Sequence, residues 1–329
     1  MRNLRRILVA IKNPASRSQP ALHKAAQLAA ACGARLELFH AIADPVYLDA
    51  FALQGMSLQQ TQRQWRERVN ARLEKHAIPL RQDGHVVEVS SEWDFPAYEA
   101  IIRRAARTDA DLIVAERHAT RHVLPWLLRF NDWELLRRSP VPVLLIKRSL
   151  RYRKPIILAA IDPSHSFAKP AKLDAEILAA ANQLALSLNG KLHAAHAFPG
   201  AMMPSDRLTP LASDVLATVE KRTTRATRDA RGAFIAALEQ GGVSDARRHF
   251  VIGHPIDVIP ALARKQRANV VVMGAISRSG LKRLVVGNIA EQVLDALACD
   301  VLVLKAADFK TKVKGTARGV QLVPTPPYL

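Results

Sequence analysis

The sequence predicts an α/β protein made of two tandem, doubly wound, mostly parallel five-stranded sheets. Three observations predict it. First, the chain repeats itself over a domain's length. Arg5-Arg6-Ile7-Leu8-Val9-Ala10-Ile11-Lys12-Asn13 returns as Lys154-Pro155-Ile156-Ile157-Leu158-Ala159-Ala160-Ile161-Asp162. Likewise Gly33 to Ala41 returns as Gly190 to Ala197, Asp111 to Val114 as Asn269 to Val272, and Val141 to Lys147 as Asp300 to Lys305. A repeat this long is a whole domain used twice, not a solenoid unit. Second, short β-branched runs alternate with amphipathic or alanine-rich stretches, the pattern of βαβ units with right-handed crossovers. Third, runs such as Val270-Val271-Val272-Met273 are apolar at every position, as central parallel strands buried on both faces must be.

Each element of the first copy follows in order. A strand is predicted over Ile7 to Ile11, then an alanine-rich helix over Ala21 to Cys32 that Gly33 ends as a C′ residue. A second strand, Leu36 to Ala41, leads through a polar stretch to a long amphipathic helix over Ser57 to His76. Then come a strand over Val86 to Val89, a helix over Tyr98 to Arg107 and a strand over Leu112 to Ala115. A long loop, a short helix over Asp132 to Arg138 and a last strand over Val143 to Lys147 complete the copy. The second copy places its strands near 156–161, 191–197, 248–252, 269–274 and 300–305. The domain boundaries expected are 1–149, 150–306 and a basic, proline-containing tail over 307–329, read as an extended or disordered appendage.

Composition narrows the class. Of 329 residues 49% are hydrophobic, enough for two cores, and no apolar run approaches the length of a membrane span. Arg2, Arg5 and Arg6 precede an apolar run too short for a signal peptide, so that run reads as the first strand. Cys32 and Cys299 stand at non-equivalent places and make no disulfide framework, which suits a cytoplasmic protein. A net charge of +19 favours anionic partners, nucleic acid among them, or simply a solvated basic surface. Aromatic residues are 5% of the chain, too sparse for a base-stacking platform. The densest basic cluster, Lys147 to Lys154, reads either as a solvated linker or as an anion-contacting strip.

Sheets of this kind bind ligands beyond the carboxyl ends of their strands, where strand order reverses. In the second copy the first strand ends at Ala160, Ile161 and Asp162, the second at Ala197, and the fourth at Met273-Gly274. The loop Ala275-Ile276-Ser277-Arg278-Ser279-Gly280-Leu281 then leads, past Lys282 and Arg283, to a helix opening at Gly287-Asn288-Ile289. Unpaired N–H groups and the positive dipole end make that helix start an anion site worth about 1 kcal/mol. Glycine at Gly274 and Gly287 permits close backbone approach. Two readings stay open: Asn288 with Glu291 also forms a capping-box-like start, and Asp162 could simply bond the turn at Pro163-Ser164. His196 reads as a packed or pocket-lining histidine. No metal-ligand spacing, P-loop or nucleophile elbow occurs in the sequence.

The strand ending in Asp162, the glycine-bearing loop and the tandem repeat resemble the universal stress protein family, a Rossmann-like fold akin to the adenine nucleotide alpha hydrolases. The tandem form, with Gly287-Asn288-Ile289-Ala290-Glu291 in one copy and Asp132-Trp133-Glu134-Leu135-Leu136 in the other, is similar to the family's two-domain, E-type members. The resemblance implies a stress-response protein that binds ATP with its magnesium ion, or a similar small anion, and that requires no cofactor. It assigns Asp162 and Ala197 to adenine and ribose, Met273 and Gly274 to the pocket base, and Gly287, Asn288 and Ile289 to the phosphates. Ser277 stands where the family's second loop glycine belongs, with Gly280 nearby, and Asn288 replaces a serine or threonine. The first copy departs throughout: Lys12 replaces the aspartate, Glu116 the first glycine and Arg129-Phe130 the glycine-hydroxyl pair, so it is expected to bind no ATP. Two other classes compete: a nucleotide hydrolase, for which no acid-base constellation surrounds Asp162, and a basic scaffold for nucleic acid or another ligand.

The resemblance also implies an intrachain pseudo-dimer, with homodimers a further option, because single domains of the family pair through their final strands. Val143 to Lys147 and Val301 to Lys305 are the matching apolar strands, and the tether raises their effective concentration. Small-angle scattering is expected to show one particle; two freely jointed lobes would contradict the pairing.

Overall fold

The computed structural model describes residues 4–47, 57–117, 130–164, 171–200, 213–239, 241, 243–275 and 288–324. It divides into two units, Asn3–Tyr152 together with Asp308–Leu329, and Arg153–Ala307 together with Met1–Arg2. Among the described residues no helix is long and apolar enough to cross a membrane.

The first unit runs β1 (Arg6–Ala10), α1 (Pro20–Cys32), β2 (Arg35–Ile42), β3 (Val46–Tyr47), α2 (Leu58–Gln82), β4 (Val87–Trp93), α3 (Ala97–Arg107), β5 (Leu112–Glu116), α4 (Phe130–Arg138) and β6 (Val143–Ile146). Its five-stranded sheet has the order β4-β2-β1-β5-β6, parallel throughout. Ile7, Leu8, Val9, Leu38, Phe39, Ile113 and Val114 are fully buried, which is why these strands are apolar at successive positions. Pro20 opens α1 and Gly33 closes it in the left-handed region, φ 66°, its N–H bonding Ala29 O. A reciprocal capping box between Ser57 and Gln60 opens α2.

Helix α2 continues six residues beyond the expected stop at His76 and passes through Pro79 to Gln82. Pro79 removes one hydrogen-bond donor, yet Val69, Leu73 and Ala77 form an i, i+4, i+8 stripe buried against the protein, and burial holds the last turns.

The C-terminal segment is not the appendage expected from its composition. Its β12 (Leu322–Val323) pairs in parallel with β3 of the first unit, Leu322 opposite Val46 and Val323 opposite Tyr47. Arg103 on α3 fixes the segment. Its guanidinium donates to both Asp94 oxygens at 2.7 and 2.8 Å, to Glu99 at 3.1 Å and to the Lys314 carbonyl at 3.2 Å. Arg318 adds its backbone N–H to Asp94 and its side chain to Glu99. Burial works against the charge on Arg103, but its bonds to Asp94 and Glu99 prevail and hold its pKa above the usual arginine value. Tyr152 at the end of this unit docks on α1, its backbone N–H and C=O both bonded to the Gln27 amide. The basic cluster on the seam is therefore anchored at Tyr152, with Arg151, Arg153 and Lys154 exposed around it.

The second unit runs β7 (Ile156–Ala160), α5 (Ala171–Ser187), β8 (Lys191–Phe198), α6 (Ser213–Glu239), β9 (Arg248–Ile252), α7 (Pro255–Lys265), β10 (Val270–Gly274), α8 (Asn288–Ala296) and β11 (Asp300–Leu304). Its strand order is β11-β10-β7-β8-β9, again parallel throughout. Gly190 admits the start of β8 against β7, because a Cβ there would lie 2.2 Å from the Pro155 carbonyl oxygen.

Near the sheet edge His193 on β8 and His249 on β9 stack, ring centroids 5.3 Å apart, with Nδ1 of one 3.0 Å from Nε2 of the other. One nitrogen donates and the other accepts, so charging both rings removes the acceptor. Burial, the facing ring, Arg247 and Lys191 push the His193 pKa down; burial and Lys265 do the same to His249. The unfolded chain therefore takes up these protons first as pH falls. Stability is complete above the ordinary histidine value of 6.5 and declines as pH falls below it toward the folded pKa values. Thermal melting between pH 7.5 and 5, as chosen conditions, is expected to fall less steeply for a His193→Gln/His249→Gln variant than for the wild type.

Candidate functional site

In the second unit the chain lays β7, β8 and β9 outward in one direction and then returns to add β10 and β11 on the other side. Strand order reverses between β7 and β10, the place where sheets of this kind take ligands. Ala160 and Met273 are register partners across this switch point. Ile161 and Asp162 follow β7 directly, Gly274 closes β10 opposite Leu304, and Ala197 lies one strand further out on β8 opposite Val251. Asn288 is the first residue of α8 and Ile289 the second. Ser277, Arg278, Gly280 and Gly287, with Lys282 and Arg283, lie outside the described residues.

Local hydrogen bonds fix the strand end. The Asp162 N–H donates to Asp174 Oδ1 at 3.0 Å, from the first turn of α5. The Ser164 hydroxyl lies 2.9 Å from Asp162 Oδ1 and 3.2 Å from His196 Nε2, while His196 Nδ1 faces the Ile161 carbonyl at 3.1 Å. A carbonyl only accepts, so Nδ1 is the donor in that contact. His196 is 1% exposed and packs against Phe198, Phe234 and Phe250. Ser164 bonds the Asp162 carboxylate and links it to the buried His196. The turn contact weighed for Asp162 is thus present. Asp174 is a contributor that sequence reasoning passed over, although an acid in the first turn of a predicted helix is a visible signal.

His40, the counterpart of His196, makes the same contact in the first unit: its Nδ1 lies 2.7 Å from the Ile11 carbonyl. Burial lowers its pKa, opposed by that carbonyl and by Asp44. Both copies use a second-strand histidine to tie down the end of the first strand, which is a structural duty.

The switch point of the first unit lies between β1 and β5, with Ala10 opposite Ala115. A cavity of about 240 Å³ opens there, lined by Lys12, His40, Tyr98, Glu116 and Asp132 among others. Arg129 and the Phe130 side chain, expected to fill that space, lie outside the described residues. Glu116, at the position of Gly274, turns its Oε1 to the Ala21 N–H at the start of α1, 3.1 Å away. It meets a donor that Gln19 leaves uncapped, since the N-cap makes no side-chain bond. Among the described residues no group of three or more histidine, cysteine or carboxylate side chains could hold a metal ion.

The sequence model of the universal stress protein family matches residues 3–147 and again 155–305. The chain belongs to the universal stress protein family. It carries the domain twice and is similar to universal stress protein E along most of its length. It is 27% identical over 326 residues to universal stress protein E of Escherichia coli K12, covering 93% of this chain and 96% of that one. It is 26% identical over 321 residues to the Photorhabdus laumondii protein of that name, covering 95% and 99%. A crystal structure of a functionally unknown protein from Pseudomonas aeruginosa superposes with a TM-score of 0.68 at 28% identity, covering 93% and 94%. A universal stress protein from Archaeoglobus fulgidus, at 16% identity and a TM-score of 0.61, shares the tandem fold over 93% of this chain and 98% of its own.

Because Glu116 caps α1 from a distant strand, Glu116→Ala is expected to destabilise the first unit by about 1 kcal/mol. Urea denaturation monitored by circular dichroism checks it; an unchanged midpoint would show the cap contributes nothing.

Proposed function

We propose that the C-terminal domain binds one nucleotide of the ATP type per chain and that the protein acts in the cytoplasmic stress response through partners that sense this occupancy. The observation that carries this reading is the asymmetry of the two switch points. At the second, Asp162 follows β7 and Gly274 ends the adjacent β10, with α8 opening at Asn288 later in the chain. At the first, Lys12 and Glu116 occupy the equivalent places and Glu116 spends its charge on Ala21. A bare backbone at Gly274 leaves room for a sugar-phosphate, whereas a carboxylate in that place repels one.

The roles follow from chemistry. Asp162, bonded by Ser164, accepts hydrogen bonds from the base or ribose, with Ala160, Ile161 and Ala197 as apolar walls. Met273 and Gly274 form the floor. The phosphates meet the helix start at Gly287, Asn288 and Ile289, and the loop bearing Ser277, Arg278 and Gly280 supplies further donors. A magnesium ion, when bound, offsets phosphate charge. Ser164 and His196 are engaged with each other, with Asp162 and with the Ile161 carbonyl, which favours binding over hydrolysis.

Isothermal titration calorimetry with ATP and magnesium tests the reading. One site per chain is expected, with Gly287→Val weakening it more than about tenfold and Arg129→Val leaving it unchanged. Two equivalent sites, or normal binding by Gly287→Val, would overturn the assignment.

A further inference from the structure

The docked C-terminal segment builds a second cavity, remote in sequence from the second unit's switch point. It measures about 490 Å³ and is lined by Arg103 and Glu99 of α3, Arg138 of α4, and Lys312, Lys314 and Arg318 of the segment. Three carboxylates hold three of these five cations. Asp94 and Glu99 hold the buried Arg103, Glu99 also holds Arg318, and Glu134 holds Arg138. Lys312 and Lys314 remain over. Both are exposed, and among the described residues neither meets a carboxylate within ion-pair distance. They stand at i and i+2 on a segment pinned by the bond from Arg103 to the Lys314 carbonyl, so both ammonium groups are presented to one cavity by a backbone already fixed. Arg318 and Arg138 engage their carboxylates through part of a five-donor fork and keep further N–H groups for a ligand.

We propose that this cavity is an anion site formed jointly by α3, α4 and the C-terminal segment, and that it takes a small soluble ligand bearing a diphosphate or longer polyphosphate. Two uncompensated ammonium groups beside two partly engaged guanidinium groups match at least two negative charges held close together. The volume exceeds what a single phosphate fills. The flanking Glu99 and the enclosing segment make it a bounded cleft rather than a track along which a nucleic-acid backbone could run.

Calorimetric titration of inorganic pyrophosphate into the full chain, in magnesium-free buffer, tests it. Saturable binding is expected in the wild type, weakened at least about tenfold by Lys312→Gln/Lys314→Gln and retained by Lys312→Arg/Lys314→Arg. Both lysines are exposed, so the glutamine variant should melt as the wild type does, which separates lost binding from lost folding. The part of pyrophosphate binding that depends on Lys312 and Lys314 should persist in Gly287→Val, so the fate of the nucleotide site is read independently. The proposal is overturned if the wild type shows no saturable binding. It is equally overturned if the glutamine variant binds pyrophosphate as the wild type does, or if the lysines matter only for binding a single-stranded oligonucleotide.

Discussion

Parallel pairing is the constraint from which the rest of the molecule follows. When every strand of a sheet points one way, all carboxyl ends gather at one edge, and each connection must cross back over a face. The helices that make those crossings bury both faces, which is why β1, β5, β7 and β10 are apolar without alternation. Where the winding reverses, between β1 and β5 and again between β7 and β10, successive crossovers depart to opposite sides. Such a reversal is where sheets of this kind take ligands, whatever residues line it.

What lines it is where the copies part. A histidine on the second strand binds the carbonyl after the first strand in both, so the backbone at the switch point is held alike. At the end of the fourth strand one copy has Gly274 and the other Glu116. The carboxylate turns to the α1 start, serving a helix that lacks a capping side chain of its own. A position that can leave space for a ligand in one domain has become part of the scaffold in the other.

The C-terminal segment carries the same theme into electrostatics. Arg103 and Asp94 are both almost fully buried, a pairing that is costly unless every donor finds a partner. The partners include the Lys314 carbonyl and, through Asp94 and Glu99, Arg318, so the network closes only when the segment is in place. Its position is thereby specified by hydrogen-bond geometry rather than by apolar area. The positive charge of the chain is not evenly spread as a result; part of it is concentrated in a defined cleft.

The sequence by itself determined the repeat, the alternation of strand and helix, the family, and the contrast of Asp162 and Gly274 with Lys12 and Glu116. Those features are written in local spacing and residue type, which tertiary contacts do not need to reveal. Only the tertiary structure decided that α2 runs through Pro79, because the buried stripe of Val69, Leu73 and Ala77 outweighs one lost donor. It alone decided that His196 meets Ser164 beside Asp162, since strand pairing, not proximity in sequence, brings residues 164 and 196 together. The docking of the C-terminal segment was illegible for the same reason: its lysines and prolines lack periodicity, and the arginine that receives them lies 211 residues earlier. Periodicity reports how an element meets a core; it carries no record of which distant charge a buried guanidinium will find.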